Sequence, residues 1–344
     1  MRSKKLVFIL VLLTCFGFVT QTPYVLVEPI GWPKPVYNFK RNPLNSETIL
    51  LGRALFYDPI LSKNNSISCA SCHSQYNAFT HADHALSHGI YDSIGTRNSP
   101  TLMNLAWHKS FMWDGAINHL DMQALAPITH PKEMGENMAS LLRKLNQSKF
   151  YKPLFLHAYG DTLVNSERLL KALSQFMLTL VSSNSKYDSV MRKERVFTAQ
   201  EQNGYSLFKQ HCNSCHTEPL FTNLEFENNG LCVNPNLIDL GRFRLTLNPK
   251  DSFKFKVPSL RNIEFSFPYM HDGRFKTIAE VLAHYMSPKC KTSTLAKKLQ
   301  SPINLTKAER VDLTAFLLCL TDKTFLFNEK YSYPKRLFFP MTKD

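Results

Sequence analysis

A chain of 344 residues, 44% hydrophobic and 20% charged, is long enough for one large or two ordinary domains and too apolar to be disordered throughout. No collagen-like period, heptad run or repeat array occurs, which excludes fibres and solenoids. Lys and Arg exceed Asp and Glu by 41 − 27 = 14, yet the basic residues are scattered, with no run of five or six, which argues against a nucleic-acid partner.

The chain opens with Arg2, Lys4 and Lys5, then runs almost without a polar break from Leu6 to Val19 before Thr20-Gln21-Thr22. That apolar stretch is shorter than the roughly 20 residues a spanning helix needs. Residues 1–20 therefore read as an export signal, with a retained anchor as the alternative. Leu12-Leu13-Thr14-Cys15 weakly resembles a lipoprotein box, although a small residue is usual where Thr14 stands. The expectation is a periplasmic protein whose only contact with a membrane is a lipid anchor, if Cys15 carries one.

Four of the eight cysteines form two C-x-x-C-H motifs, Cys69-Ala-Ser-Cys72-His73 and Cys212-Asn-Ser-Cys215-His216. This is the spacing of covalent c-type haem attachment. Two thiols about one turn apart form thioethers with the porphyrin, and the adjacent His reaches the iron. A zinc knuckle would need both motifs to converge, and a redox dithiol needs no His after it. The prediction is two covalently bound haem c groups, ligated by His73 and His216. Of the remaining cysteines, Cys232, Cys290 and Cys319 can supply one disulfide and leave one thiol, in a pairing the sequence leaves open.

Helix signals surround the second motif. Thr198-Ala-Gln-Glu201 and Thr306-Lys-Ala-Glu309 are capping boxes. The first opens a short helix through Gly204, Tyr205 and Phe208 to Cys212; the second opens an apolar run through Val311, Leu313, Phe316, Leu317 and Leu320. Residues 168–181 read as an apolar helix closing the first domain, and Ser182–Ser185 as a linker. The predicted fold is mostly α, with two cytochrome c-like haem domains and long loops: a peroxidatic domain over 40–185 and an electron-transfer domain over 195–325.

Further motifs stand between and around the two haem motifs. They are Leu51-Gly-Arg-Ala-Leu-Phe-Tyr-Asp-Pro59, Arg97-Asn-Ser-Pro-Thr-Leu102, Trp113-Asp-Gly115, Gln123 with Pro127 and Glu133-Met134, Pro258-Ser-Leu-Arg-Asn262, and Pro268-Tyr-Met-His-Asp-Gly273. In this order, over about 45–325, the chain resembles the bacterial dihaem cytochrome c peroxidase family, including its MauG-type branch.

The resemblance implies roles. Glu133 is expected to move the proton between the peroxide oxygens, because heterolysis gives water only if the departing oxygen is protonated. Gln123, ten residues earlier, would orient the peroxide, and Trp113, ten earlier again, would carry electrons between the haems. Where the family usually has Arg two residues after the Asp of Trp-Asp-Gly, this chain has Ala116. His88 matches a removable sixth ligand of the first haem. His271 is expected to brace the second haem pocket; His81, His84, His108, His119, His130, His157, His211 and His284 carry no motif.

The second haem's sixth ligand separates the branches. In the peroxidases a Met lies fourteen residues beyond the His of His-Asp-Gly; here that position is Tyr285, as in the MauG-type branch, with Met286 beside it and Met270 in the motif itself. A phenolate favours ferric and higher iron and a thioether favours ferrous iron. Tyr285 thus implies a first haem open at rest, with His88 turned away. The resemblance further implies one calcium ion held by oxygens of Asn98, Ser266 and Pro268. The expected activity is reduction of hydrogen peroxide with electrons from a small c-type cytochrome or cupredoxin. A MauG-type oxidase acting on a protein or organic substrate and a non-catalytic dihaem electron carrier are the alternatives.

Overall fold

The computed structural model describes residues 21–339, so the export-signal reading and Cys15 lie outside the described residues. The fold is mostly helical. In chain order the α-helices of the described residues are α1 (Ser46–Tyr57), α2 (Cys69–Cys72), α3 (Leu120–Gln123), α4 (Leu125–Thr129), α5 (Met138–Gln147), α6 (Tyr151–Tyr159), α7 (Ser166–Leu178), α8 (Lys186–Met191), α9 (Ala199–His211), α10 (Phe243–Thr246), α11 (Ile278–Met286), α12 (Lys307–Leu318), α13 (Lys323–Leu326) and α14 (Lys335–Phe338). Among the described residues the sheet is a single antiparallel pair, β1 (Phe226–Glu227) and β2 (Phe255–Lys256), with Phe226 opposite Lys256. No helix among the described residues is long and apolar enough to cross a membrane.

Local chemistry sets the helix ends. Both predicted capping boxes form, with the Thr198 and Thr306 side chains accepting from the Glu201 and Glu309 amides. Thr277 and Glu280 form a third box at α11. The helix expected over 168–181 starts two residues earlier, because the Asn165 side chain accepts from Arg168 N, and it ends at Leu178.

Two hydrophobic clusters organise the chain. The first gathers Leu51, Leu55 and Phe56 of α1, Phe155 of α6, and Leu169, Leu173 and Phe176 of α7. The second gathers Phe208 of α9, Phe221, Leu282 of α11, and Leu313, Phe316 and Leu317 of α12. Each is built around a helix crossing with a glycine at the contact. A Cβ at Gly52 would lie 1.9 Å from the Ala172 carbonyl oxygen, and one at Gly204 would lie 1.9 Å from the Asp312 oxygen. Only glycine lets the backbones come so close.

Ser182–Ser185 is not a free linker. Ser182 and Ser185 are buried, and the Asp322 carboxylate accepts from the Ser183 and Asn184 amides at 3.0 and 2.8 Å. The clusters also exchange ends. Tyr187 belongs to the second cluster, ahead of residue 195, while Phe325 and Leu326 return to the first. From the other terminus a strap runs over the first cluster: Val36 N and Tyr37 N donate to Ala106 O, and Trp32 packs edge-on against Trp107 at 5.0 Å.

Candidate haem and peroxide sites

Each C-x-x-C-H histidine is fixed by backbone carbonyls. Cys69–Cys72 forms α2, and His73 caps it. The chain then turns through Ala78 and Phe79, both at positive φ, which brings the Phe79 carbonyl to 2.8 Å from His73 Nδ1. His216 Nδ1 lies 3.2 Å from Phe221 O and 3.1 Å from Pro258 O. Carbonyl acceptors fix the proton on Nδ1 and leave Nε2 as the iron-binding nitrogen. Burial lowers both imidazoles to about 4, so each is held in its neutral, ligating form. The four motif cysteines are unbridged, and burial raises the Cys69 and Cys212 thiols to about 12. Among the described residues no three His, Cys, Asp or Glu groups converge on a metal position.

One cavity of about 260 Å³ joins much of the expected machinery. Cys212, Cys215, His216 and Tyr285 line it together with Trp113, Gln123, Asn98, Ser266 and Pro268. Its walls are largely apolar, with Leu102, Phe111, Leu282 and Leu317 among them. Trp113 Nε1 donates to Asn98 O at 2.8 Å, and the Trp113 carbonyl accepts from Lys256 N at 2.6 Å. The indole is thereby held at its nitrogen and the main chain of Trp113 at its carbonyl. Asn98 Nδ2 donates to Ala85 O at 3.0 Å, which turns the amide so that its oxygen is the group that suits a hard cation.

Glu133 and His88 are not on that wall. They meet at the first motif: Cys72 Sγ donates to His88 O at 3.3 Å, Ile90 N donates to Glu133 O at 2.8 Å, and the Glu133 charge acts on the Cys72 thiol. Gly89 seals the contact, since a Cβ there would lie 2.6 Å from Glu133 Cα. Burial raises the Glu133 carboxyl above its ordinary value, partly offset by His130 at 3.8 Å. His88 Nδ1 pairs with Asp92 at 3.0 Å and its ring stacks on His84 at 4.0 Å.

On the second motif, Tyr285 faces Cys212 and Cys215 from α11; burial, then those two sulfurs, raise its hydroxyl to about 12. Met286 and Met270 line the same cavity, and Met270 Sδ accepts from Asn229 at 3.3 Å. His271 stacks on Phe255 at 3.7 Å. The disulfide is Cys232–Cys290, and Cys319 is the buried remaining thiol.

The sequence profile of di-haem cytochrome c peroxidases matches residues 46–196. A methylamine utilization protein MauG of Methylorubrum extorquens is 35% identical over 321 residues, 88% of each chain. The chain belongs to the di-haem cytochrome c peroxidase family. A cytochrome c551 peroxidase of Nitrosomonas europaea is 34% identical across 74% of this chain and 76% of its own. The crystal structure of a MauG-like protein associated with microbial copper homeostasis superposes with a TM-score of 0.82 at 31% identity, covering 91% of this chain and all 100% of that one. Peroxidase and MauG relatives are thus equally near.

Membership in a di-haem family gives a use to two cavity residues that motif reading passed over. Lys256 donates to Ser110 O at 2.8 Å and has no carboxylate partner; burial lowers its ammonium to about 8, against the pull of Asp114. His108 Nδ1 is buried with no partner at all. Both line the cavity. A haem carries two carboxylates on one edge, so an unpaired amine and an orphaned imidazole nitrogen fit such a group. The signal available in sequence was Lys256 two residues before Pro258.

Arg97 opens one of the motifs, but motif reading assigned it no role. It bonds Asp114, beside Trp113, at 2.6 Å and Asp239 at 2.6 and 2.9 Å. Arg242 adds a bond to the Asp114 carbonyl at 2.9 Å, so a guanidinium reaches the Trp-Asp-Gly turn although residue 116 is Ala.

Proposed function

We propose that this protein is a periplasmic dihaem peroxidase that reduces hydrogen peroxide to two waters, consuming two electrons and two protons from a small c-type cytochrome or cupredoxin and from solvent. The observation that supports it most is the shared cavity, in which Trp113 and Gln123 stand with the second haem motif and Tyr285.

The haem held by Cys69, Cys72 and His73 supplies, when bound, the iron at which the O–O bond breaks. The residues do the rest. Gln123 orients peroxide through its side-chain amide. Glu133 accepts the proton of one peroxide oxygen and returns it to the departing oxygen, a task suited to a carboxyl whose affinity for protons is raised by burial. Trp113, held by Asn98 and Lys256 and flanked by the Arg97–Asp114 pair, is the stepping point for electrons from the His216 side. Calcium at the oxygens of Asn98, Ser266 and Pro268 would stiffen the junction between the two sides. An electron carrier without catalysis leaves Gln123 and Glu133 without a use.

A second reading rests on Tyr285. Its position beside Cys212 and Cys215 is where a phenolate ligand would stand. Burial and the two sulfurs favour the neutral hydroxyl, so iron would have to displace that proton. A phenolate so formed favours oxidised iron and an oxidase of the MauG type acting on a protein or organic substrate. Tyr285 supports a first haem that would be five-coordinate and high-spin in the resting protein; the Asp92 bond engages only His88 Nδ1, so His88 is the residue that would fill the open side if it turned in. Stopped-flow spectra of ferric and pre-reduced protein mixed with peroxide, with and without reduced cytochrome c, separate the readings. Direct reaction of the ferric protein and steady oxidation of cytochrome c are expected. Two low-spin haems at rest and a need for prior reduction would instead make His88 the ligand; reaction with peroxide but no oxidation of cytochrome c would favour the oxidase.

A further inference from the structure

The segment following α11 carries an unusual charge. From residue 281 to 308 the chain has no Asp or Glu, yet it holds Lys289, Lys291, Lys297, Lys298 and Lys307. The lysines that pair with carboxylates among the described residues are Lys34, Lys144, Lys171, Lys186, Lys209 and Lys254; none belongs to this segment. Lys291, Lys297 and Lys298 are exposed.

The segment has little regular structure, but it is pinned. Cys290 is bridged to Cys232, Cys290 N donates to Gly230 O at 3.2 Å, and Ala296 N donates to Asn228 O at 3.0 Å. Asn228 Nδ2 reaches Thr292 and Thr294 at 2.8 Å, and Thr294 Oγ1 reaches Ser252 O at 2.7 Å. A backbone pinned at these points loses less freedom on binding than a mobile tail would.

The lysine row also lies at the second haem motif. Lys289 Nζ is 5.9 Å from the Tyr285 ring, and Lys298 is on the cavity wall, where its charge acts on Cys215. Glu227 is the one acid on that wall. A positive, pinned platform at the mouth of an apolar cavity steers and orients a negative partner.

We propose that the segment Lys289–Lys298 is the docking platform for a small electron-carrier protein that presents an acidic patch, bringing its redox centre to the second haem. The inference rests on the electron-accepting role proposed for that side of the molecule.

The test uses the holoprotein and two small c-type cytochromes, one of net negative and one of net positive charge. Binding is measured by calorimetry and peroxide-dependent oxidation by absorbance, at about 10 and 150 mM salt, where the screening length falls from about 30 to 8 Å. The negative cytochrome is expected to bind about tenfold or more tightly at low salt and to lose that advantage at high salt. The double substitution Lys291→Glu/Lys297→Glu should remove the advantage, and Lys291→Arg/Lys297→Arg should keep it. If the Glu variant does not fold, the salt dependence of the unaltered protein still decides. Salt-insensitive binding, tighter binding of the positive cytochrome, or binding unchanged in the folded Glu variant overturns the platform. Salt-dependent, Lys-dependent binding without oxidation supports the platform and overturns the peroxidase reading instead.

Discussion

In the first haem-motif region Gly52 of α1 rests on the Ala172 carbonyl of α7; in the second, Gly204 of α9 rests on the Asp312 carbonyl of α12. Each joint precedes a C-x-x-C-H whose histidine donates to a backbone carbonyl. The interiors around these joints differ. The first is tied by neutral amides: Gln175 Nε2 donates to Asn42 Oδ1 at 2.8 Å and Pro43 O at 3.0 Å, and Asn45 N donates to Gln175 Oε1 at 3.1 Å. The second holds a full ion pair, with Arg261 wholly buried, two bonds of 2.8 Å to Asp188, and the Pro219 carbonyl as a third partner. Trp32, from the N-terminal strap, stacks on the same guanidinium at 4.7 Å. A shared helix joint therefore tolerates either kind of polar tie, and the two ties respond differently to pH.

The largest effect that can test this pairing is loss of a haem. Cys69→Ala and Cys212→Ala should each leave one covalent haem, read by a pyridine haemochrome assay on denatured protein; one haem in the unaltered chain would break the symmetry of the two regions. Next in size is Asp188→Ala, which strands the Arg261 charge and should cost about 3–5 kcal/mol in urea unfolding. Gln175→Ala in the first region should cost about 1–3 kcal/mol, as neutral donors and acceptors lose partners. The pair also fixes the sign of the pH response. Burial alone would raise the Asp188 carboxyl, but Arg261 more than offsets it and holds the group below its ordinary 3.8. Its stability is then fully present above that value and is lost as pH falls through the folded value, so acid should loosen the second region, with the Gln175 tie unaffected.

Glu133→Ala should spare both haems and lower peroxide turnover about a hundredfold, equivalent to about 2.7 kcal/mol in the barrier. Unchanged turnover would make Glu133 a loop carboxylate and leave the first region without its proton carrier. The smallest effects belong to the joints. Gly52→Ala and Gly204→Ala should each destabilise by about 1–3 kcal/mol through overpacking, measured by thermal melts monitored at the haem bands. A large difference between them would show that one joint has room to shift where the other has none.

Much of this was legible in the sequence because the signals are local. The haem motifs, both threonine capping boxes and the order of motifs around Trp113, Gln123 and Glu133 each lie within a few residues. What escaped depends on distant partners. Ser182–Ser185 has the composition of a linker, yet Asp322, about 140 residues on, captures its amides. Lys256 looks like an ordinary strand lysine until Trp113 and Ser110 fold against it. Three spare cysteines permit three pairings, and only the approach of the Gly230 and Lys289 segments selects Cys232–Cys290.

The return of the chain's end to the first cluster bears on when that cluster can form. Arg53 Nε donates to Ser332 O across 279 residues, Tyr57 OH to Tyr331 O across 274, and Phe325 and Leu326 complete the core around Phe79. During synthesis the first two hundred residues emerge without those partners, so the N-terminal half cannot finish folding ahead of the C-terminal half. Contacts of such span close late and make assembly slow. Cys69 and Cys72 consequently stand beside an unfinished core until Phe325 and Leu326 have joined it, and covalent attachment of a haem there would precede closure of that core.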